Sequence, residues 1–240
     1  MKSSSLVPSP LVIGHRGARG YEPENTIESL RAAISLGASW VEVDVRAVHG
    51  ELLVFHDERL ERTTNGVGRL EDLSIEALRR LDAGKGARIP LLAEVLDEIE
   101  GRAGLNIEMK GRHVPALLVP LLKERTDSGR WKREDILISS FDHRELYDLE
   151  RLASNLPRGA LMYGMPLSLA ACATAVKADT VVADYRFVDS DFVDDARERG
   201  LKIFVYTVNE VEEIGGMISY GVDGIISDYP DRVVKAWEAR

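Results

Sequence analysis

The amino-acid sequence predicts an α/β protein of the TIM (β/α)8 barrel class, with a small segment inserted after the second strand. Two observations carry the prediction. Eight short apolar strand patterns, at residues 11–14, 40–45, 105–109, 136–139, 159–163, 180–184, 202–206 and 224–227, alternate with helical patterns along 240 residues, which is the rhythm of a parallel barrel. Two of those strands also carry polar residues on one face only, behind an apolar row on the other. A doubly wound open sheet shares the alternation, but no glycine-rich dinucleotide fingerprint follows the first strand.

Taken in order, Leu11-Val12-Ile13-Gly14 forms a buried strand that ends at His15-Arg16-Gly17. A helix follows over 26–36, with Asn25 as its expected N-cap, Glu28 completing a capping box and Gly37 stopping it. The second strand is Trp40-Val41-Glu42-Val43-Asp44-Val45, whose alternation puts the valines on one face and Trp40, Glu42 and Asp44 on the other. Only six residues separate Val45 from Leu52, whereas parallel neighbours need a crossover of about a dozen or more. Residues 52–55 are therefore expected to fold back as a hairpin on an extension of the acidic strand, turning at His49-Gly50. That geometry returns His56 to the level of Asp44.

A polar loop over 58–70 leads to helical stretches at 74–81 and 91–100. The strand Leu105-Asn106-Ile107-Glu108-Met109 follows, with residues 106, 108 and 110 sharing a face. Helices are then expected over 114–125, 143–153, 167–175, 191–199, 210–220 and from 231, each between the strands already named. With no repeat, low-complexity tract or linker, the partition is a flexible N-terminus over 1–10 and a single domain over 11–240.

Composition narrows the partners. An apolar fraction of 45% suits a substantial core, and a net charge of −9 without a basic cluster argues against nucleic acid. The one cysteine, Cys172, permits no intrachain disulfide. The first ten residues lack the apolar run of a signal peptide, and no stretch approaches the roughly 18 apolar residues of a membrane span. The expectation is a soluble, cytoplasmic protein without an integral membrane segment.

In a TIM barrel the functional groups lie at the C-terminal strand ends. That rule gathers His15-Arg16, Glu42, Asp44, Glu108, Lys110, Ser140-Phe141-Asp142, Thr207-Asn209 and Ser227-Asp228 at one mouth, and the hairpin adds His56. Three carboxylates from separate strands suit a hard divalent cation, Mg²⁺ or Ca²⁺, better than Zn²⁺. Arg16 and Lys110 offer donors to an oxyanion such as a phosphate. His15 and His56 are able to exchange protons near neutral pH. Singly, each has a plainer reading: a structural histidine, an Arg16 paired with Glu22 or Glu24, a solvated Lys110. Their convergence on one mouth favours a joint site.

At these residues the sequence resembles the glycerophosphodiester phosphodiesterases, relatives of phosphatidylinositol-specific phospholipase C. The matching pieces are His15-Arg16-Gly17, Glu22-Pro23-Glu24-Asn25-Thr26, Glu42-Val43-Asp44-Val45, Val54-Phe55-His56-Asp57 and Arg62-Thr63-Thr64-Asn65-Gly66. They continue through Asn106-Ile107-Glu108-Met109-Lys110, Ser140-Phe141-Asp142, Thr207-Val208-Asn209 and Gly224-Ile225-Ile226-Ser227-Asp228-Tyr229-Pro230. The resemblance implies hydrolysis of a glycerophosphodiester to sn-glycerol 3-phosphate and an alcohol, in lipid and glycerol metabolism. It also implies a divalent ion on Glu42, Asp44 and Glu108, with His15 and His56 as the acid/base pair. Tyr206 stands where the family commonly has Trp, and Leu91 where Thr often follows Ile-Pro. Two other readings of the residues are a metal-dependent barrel of another kind, such as an aldolase using Lys110, and a non-catalytic phosphodiester-binding protein.

Overall fold

The structure, a computed structural model, describes residues 9–240. The strands are β1 (Leu11–Gly14), β2 (Trp40–Val48), β3 (Glu51–Val54), β4 (Gly104–Lys110), β5 (Ile136–Ser140), β6 (Arg158–Met162), β7 (Thr180–Asp184), β8 (Lys202–Tyr206) and β9 (Gly224–Ser227). All but β3 are parallel and pair in sequence order, and β1 closes the ring by pairing with both β2 and β9. The result is the expected eight-stranded barrel.

The hairpin is present. β3 runs antiparallel to β2, with Val45 opposite Val54 and Val48 opposite Glu51. His49 (φ +49°) and Gly50 (φ +83°) form the two-residue turn, the left-handed pair that matches strand twist in tight hairpins. Phe55 N donates to Asp44 O at 2.9 Å, so His56 returns beside Asp44. Behind the hairpin, Val48, Leu53, Phe55, Leu60, Leu70, Leu78 and Ile89 bury one another in a small core of their own.

The helices are α1 (Ile27–Ser35), α2 (Ile75–Leu78), α3 (Leu92–Ile99), α4 (Val114–Asp127), α5 (His143–Leu152), α6 (Ala171–Ala175), α7 (Ser190–Glu198), α8 (Val211–Tyr220) and α9 (Pro230–Glu238). Three sequence expectations need correction. Thr26, not Asn25, caps α1, its hydroxyl accepting from Ser29 N at 3.2 Å. α2 covers only part of 74–81. α6 starts at Ala171 because Asp195 of α7 accepts from Ala170 N at 3.0 Å and Leu169 adopts φ +49°, so a tertiary contact replaces a first helical turn. Of the expected flexible N-terminus, residues 1–8 lie outside the described residues. Pro10 is buried, beside the Leu11 amide that donates to Asp223 O at 2.8 Å.

Strand register builds the barrel interior. Across β2 and β4 the inward pairs are Trp40 with Gly104, Glu42 with Asn106, Asp44 with Glu108 and Arg46 with Lys110. Gly104 is required at its level: a Cβ there would lie 2.2 Å from the Trp40 ring. The interior is apolar around Ile13, Leu137, Leu161, Val182, Phe204 and Ile226. Toward the C-terminal strand ends the inward positions of β2 and β4 turn polar. Outside the barrel the alternate residues, including Val41, Val43, Ile107 and Ile138, join the helices in the main core.

Candidate active site

The mouth begins with the turn after β1. Gly14 lies so close to the turn that a Cβ would meet Gly17 O at 2.5 Å, and Gly17 (φ +84°) is pressed against Ser29 of α1. Between them Arg16 takes φ +50°, an uncommon conformation for a residue with a side chain. Three hydrogen bonds hold it there. Arg16 N donates to Glu42 Oε2 at 2.9 Å, and Arg16 O accepts from Ser29 Oγ at 2.9 Å and from Asn25 N at 3.0 Å.

Glu42, Asp44 and Glu108 are all buried, and a ligand oxygen from each lies within 4.8 Å of the others. Asp44 is the best held: Asn25 Nδ2 donates to its Oδ2 at 2.9 Å, Arg16 Nε lies 3.1 Å away and Lys110 Nζ 3.3 Å from Oδ1. Burial alone would raise its pKa, but Arg16 and Lys110 outweigh burial and keep it below the usual carboxylate range. Glu42 differs. Glu42 Oε1, Asp44 Oδ1 and Glu108 Oε1 are all buried without a hydrogen bond among the described residues, but Lys110 sits beside the latter two and not beside Glu42 Oε1. Burial together with Asp44 and Glu108 pushes the Glu42 pKa well up. For Glu108, burial and Asp44 raise the pKa to about 7 despite contact with Lys110. An orphaned carboxylate oxygen in a crowd of acids is a poor arrangement alone and a good one around a cation. The all-oxygen donor set fits a hard divalent metal.

The two histidines flank this cradle. His15 Nδ1 lies 2.7 Å from Asp228 Oδ1, and its Nε2 is 4.0 Å from Glu42 Oε2. His56 Nδ1 lies 2.5 Å from Asp57 Oδ1, while Arg46 Nε donates to the His56 carbonyl at 2.9 Å. In each case a carboxylate engages Nδ1 and leaves Nε2 free for chemistry. Burial lowers the pKa of both rings, against the pull of the neighbouring carboxylates.

The structure thus brings all seven predicted residues together: His15, Arg16, Glu42, Asp44, His56, Glu108 and Lys110. Sequence reasoning placed Asn209 and Asp228 at the mouth without a role, gave Asp57 none and took Asn25 for a helix cap. Asn209 Nδ2 donates to Asp228 Oδ2 at 2.8 Å, fixing the carboxylate that holds His15. The opposite side of the mouth is aromatic. Phe141 meets Tyr206 edge-on at 5.8 Å, and Lys110 Nζ sits 5.7 Å over the Phe141 ring. Tyr206 Oη donates to Met162 O at 2.8 Å, linking that pair to the strand end before Tyr163.

A barrel that gathers carboxylates, histidines and cationic side chains at its C-terminal mouth belongs to the TIM-barrel enzymes. The match of residues 15–232 to the glycerophosphoryl diester phosphodiesterase family model is more specific, and the chain belongs to that family. It is 36% identical to a glycerophosphodiester phosphodiesterase of Caldanaerobacter subterraneus subsp. tengcongensis, over 93% of this chain and 96% of the relative. It is 31% identical to one of Bacillus subtilis, over 92% and 84%. Among solved structures, an Oleispira antarctica phosphodiesterase in complex with its product sn-glycerol-3-phosphate superposes with a TM-score of 0.86 at 29% identity, covering 95% of this chain and 97% of that one.

Proposed function

We propose that this protein hydrolyses glycerophosphodiesters to sn-glycerol 3-phosphate and a free alcohol, with residues 11–240 acting as one catalytic unit. The observation that carries the reading is the buried cluster of Glu42, Asp44 and Glu108, flanked in one mouth by two histidines and two cationic side chains. The family membership and the product bound by the Oleispira relative support it.

Glu42, Asp44 and Glu108 would hold a divalent cation, Mg²⁺ or Ca²⁺. When bound, that ion supplies charge neutralisation for the phosphate. Arg16 and Lys110 hold the phosphate oxygens from β1 and β4, adding fixed positive charge where negative charge must be approached. One histidine accepts the proton of the nucleophile as its bond to phosphorus forms; water gives sn-glycerol 3-phosphate directly, whereas the glycerol 2-hydroxyl gives a cyclic phosphate that water then opens to the same product. The other histidine donates a proton to the alcohol oxygen as its bond to phosphorus breaks. Asp228 and Asp57, each on an Nδ1, keep the two Nε2 atoms aimed at the mouth. Phe141 and Tyr206 form the wall beside the alcohol.

The aldolase reading fails on Lys110. Its ammonium contacts Asp44 and Glu108, which raise its pKa against the effect of burial, the reverse of what a Schiff-base lysine needs. Against a binding protein without turnover stands the position of two histidines, the candidate proton carriers, beside the three candidate metal ligands.

The test is turnover of glycerophosphocholine, -ethanolamine, -glycerol and -inositol, each with Mg²⁺, Ca²⁺ or chelator. Metal-dependent release of sn-glycerol 3-phosphate is the expected result. Release of no product from any of them, with either ion, would refute the assignment.

A further inference from the structure

The motif Arg62-Thr63-Thr64-Asn65-Gly66 lies in the inserted segment and supplies none of the groups assigned above. Its arginine nevertheless reaches both sides of the mouth. Arg62 Nε donates to Asp57 Oδ2 at 2.5 Å, and Asp57 Oδ1 lies 2.5 Å from His56 Nδ1. The other two nitrogens of the same guanidinium grip Glu24, Nη1 to Oε2 at 2.9 Å and Nη2 to Oε1 at 2.7 Å. Glu24 Oε1 in turn accepts from Arg16 Nη1 at 2.6 Å. One planar fork therefore spans the carboxylate behind a histidine and the carboxylate behind a phosphate-facing arginine.

We infer that Arg62 is a positioning residue that sets His56 and Arg16 together, through Asp57 and Glu24, for the reaction proposed above. Three points support this. Asp57 sits on a loop, and within the reach of its carboxylate the partners are His56 and Arg62. A carboxylate free to swing would not fix the imidazole tautomer. The charges also balance: Arg16 and Arg62 face Glu24 and Asp57. Without Arg62, Glu24 would keep Arg16 at 2.6 Å and the more distant Arg19, whose Nε lies 3.9 Å away, and its hold on Arg16 would draw that guanidinium away from a phosphate. Finally, the task calls for arginine, because a lysine ammonium is a point donor without the three-nitrogen fork.

Isolated surface ion pairs contribute little to stability, and Arg62 is half exposed. It also makes no contact with Glu42, Asp44 or Glu108 in the structure. Its effect is therefore expected on turnover more than on folding or metal uptake. Arg62→Ala, assayed with saturating Mg²⁺, should lower kcat about 10-fold or more, through His56, and raise KM, through Arg16. It should still fold cooperatively, melting lower by no more than the stability that Glu24 and Asp57 draw from Arg62, and its metal-binding midpoint should stay near wild type. Arg62→Lys should remain impaired, and added guanidinium ion, below denaturing concentration, should restore part of the turnover of Arg62→Ala but none in His56→Ala. A second measurement does not depend on turnover. With ¹⁵N-labelled histidine, His56 should show a single tautomer protonated at Nδ1 in the wild type and a tautomer mixture in Arg62→Ala. Wild-type kcat and KM together with an unchanged His56 spectrum in folded Arg62→Ala would overturn the inference. If the wild type turned over no phosphodiester, the functional reading would fall, while the tautomer comparison would still decide the role of Arg62.

Discussion

His15 and Asp228 meet across the seam of the barrel. Each is the first residue beyond its strand, Gly14 and Ser227 are in register, and His15 Nδ1 lies 2.7 Å from Asp228 Oδ1. The carboxylate carries its charge here because the contact with His15 overcomes burial and lowers its pKa. Asp228→Asn keeps the shape but removes the charged acceptor that selects the Nδ1–H tautomer. It should fold normally and lose about 10²-fold in kcat, with a smaller change in KM, as steady-state kinetics would show. Unchanged turnover would mean that His15 needs no such partner.

Glu42 makes a second prediction, with opposite effects in the two states of the protein. Its orphaned oxygen is an electrostatic burden without a cation and, on the proposed function, a ligand once one is bound. Metal-free Glu42→Gln should melt above metal-free wild type, by about 2–4 °C for each kcal/mol of repulsion relieved. Wild type should gain more on adding Mg²⁺ or Ca²⁺ than the variant does. Thermal melts of both proteins with chelator and with metal give the four values. A variant that gains as much as wild type would remove Glu42 from the metal site.

The acids also set a pH dependence, and its sign differs between groups. Burial and Asp44 raise Glu108 from the ordinary glutamate value to about 7, so the native state holds its proton more tightly than the unfolded chain does. That contribution is complete below about 4.5 and is lost as the pH rises through 7. Glu24 and Asp57 act oppositely. Burial would raise them, but Arg62 and its neighbours hold each at about 2, so their contribution is present above the ordinary carboxylate range and lost on acidification toward pH 2. His15 and His56, both lowered by burial, add stability in the opposite sense as the pH rises toward neutrality, so the Glu108 contribution is read by difference. Relative to Glu108→Gln, the metal-free wild type should lose stability as the pH rises from about 4.5 through 7. Melting temperature against pH for the two metal-free proteins tests this, and a difference that does not change with pH would contradict it.

The hairpin core predicts a stability effect away from the chemistry. Leu53 is fully buried beside Leu60 and Ile89, so Leu53→Ala should cost about 2–5 kcal/mol, read by urea denaturation. A cost below about 1 kcal/mol would mean that this small core can collapse around the gap.

These relationships were unevenly legible in the sequence. The barrel, the hairpin and the carboxylate cradle followed from periodicity and from one short connection, because strand alternation fixes which side chains face inward. Asn25 was misread as a helix cap because Asn suits both a cap and a left-handed residue. Only the fold shows that its side chain is spent on Asp44, through Asn25 Nδ2 to Oδ2 and Asp44 N to Asn25 Oδ1. Asp228 was visible at a strand end, but its partner lies at the other end of the chain, where no local pattern connects them. The start of α6 was set by Asp195 from the following helix, a tertiary contact that sequence propensity does not carry.

The role proposed for His15 and His56 is to carry protons for phosphodiester cleavage at the cradle of Glu42, Asp44 and Glu108. It is decided by kcat for His15→Ala and His56→Ala on glycerophosphocholine with saturating metal, each variant first shown to melt and bind metal like wild type. A loss of about 10²-fold or more is expected in each. Wild-type turnover in either folded, metal-loaded variant would contradict it.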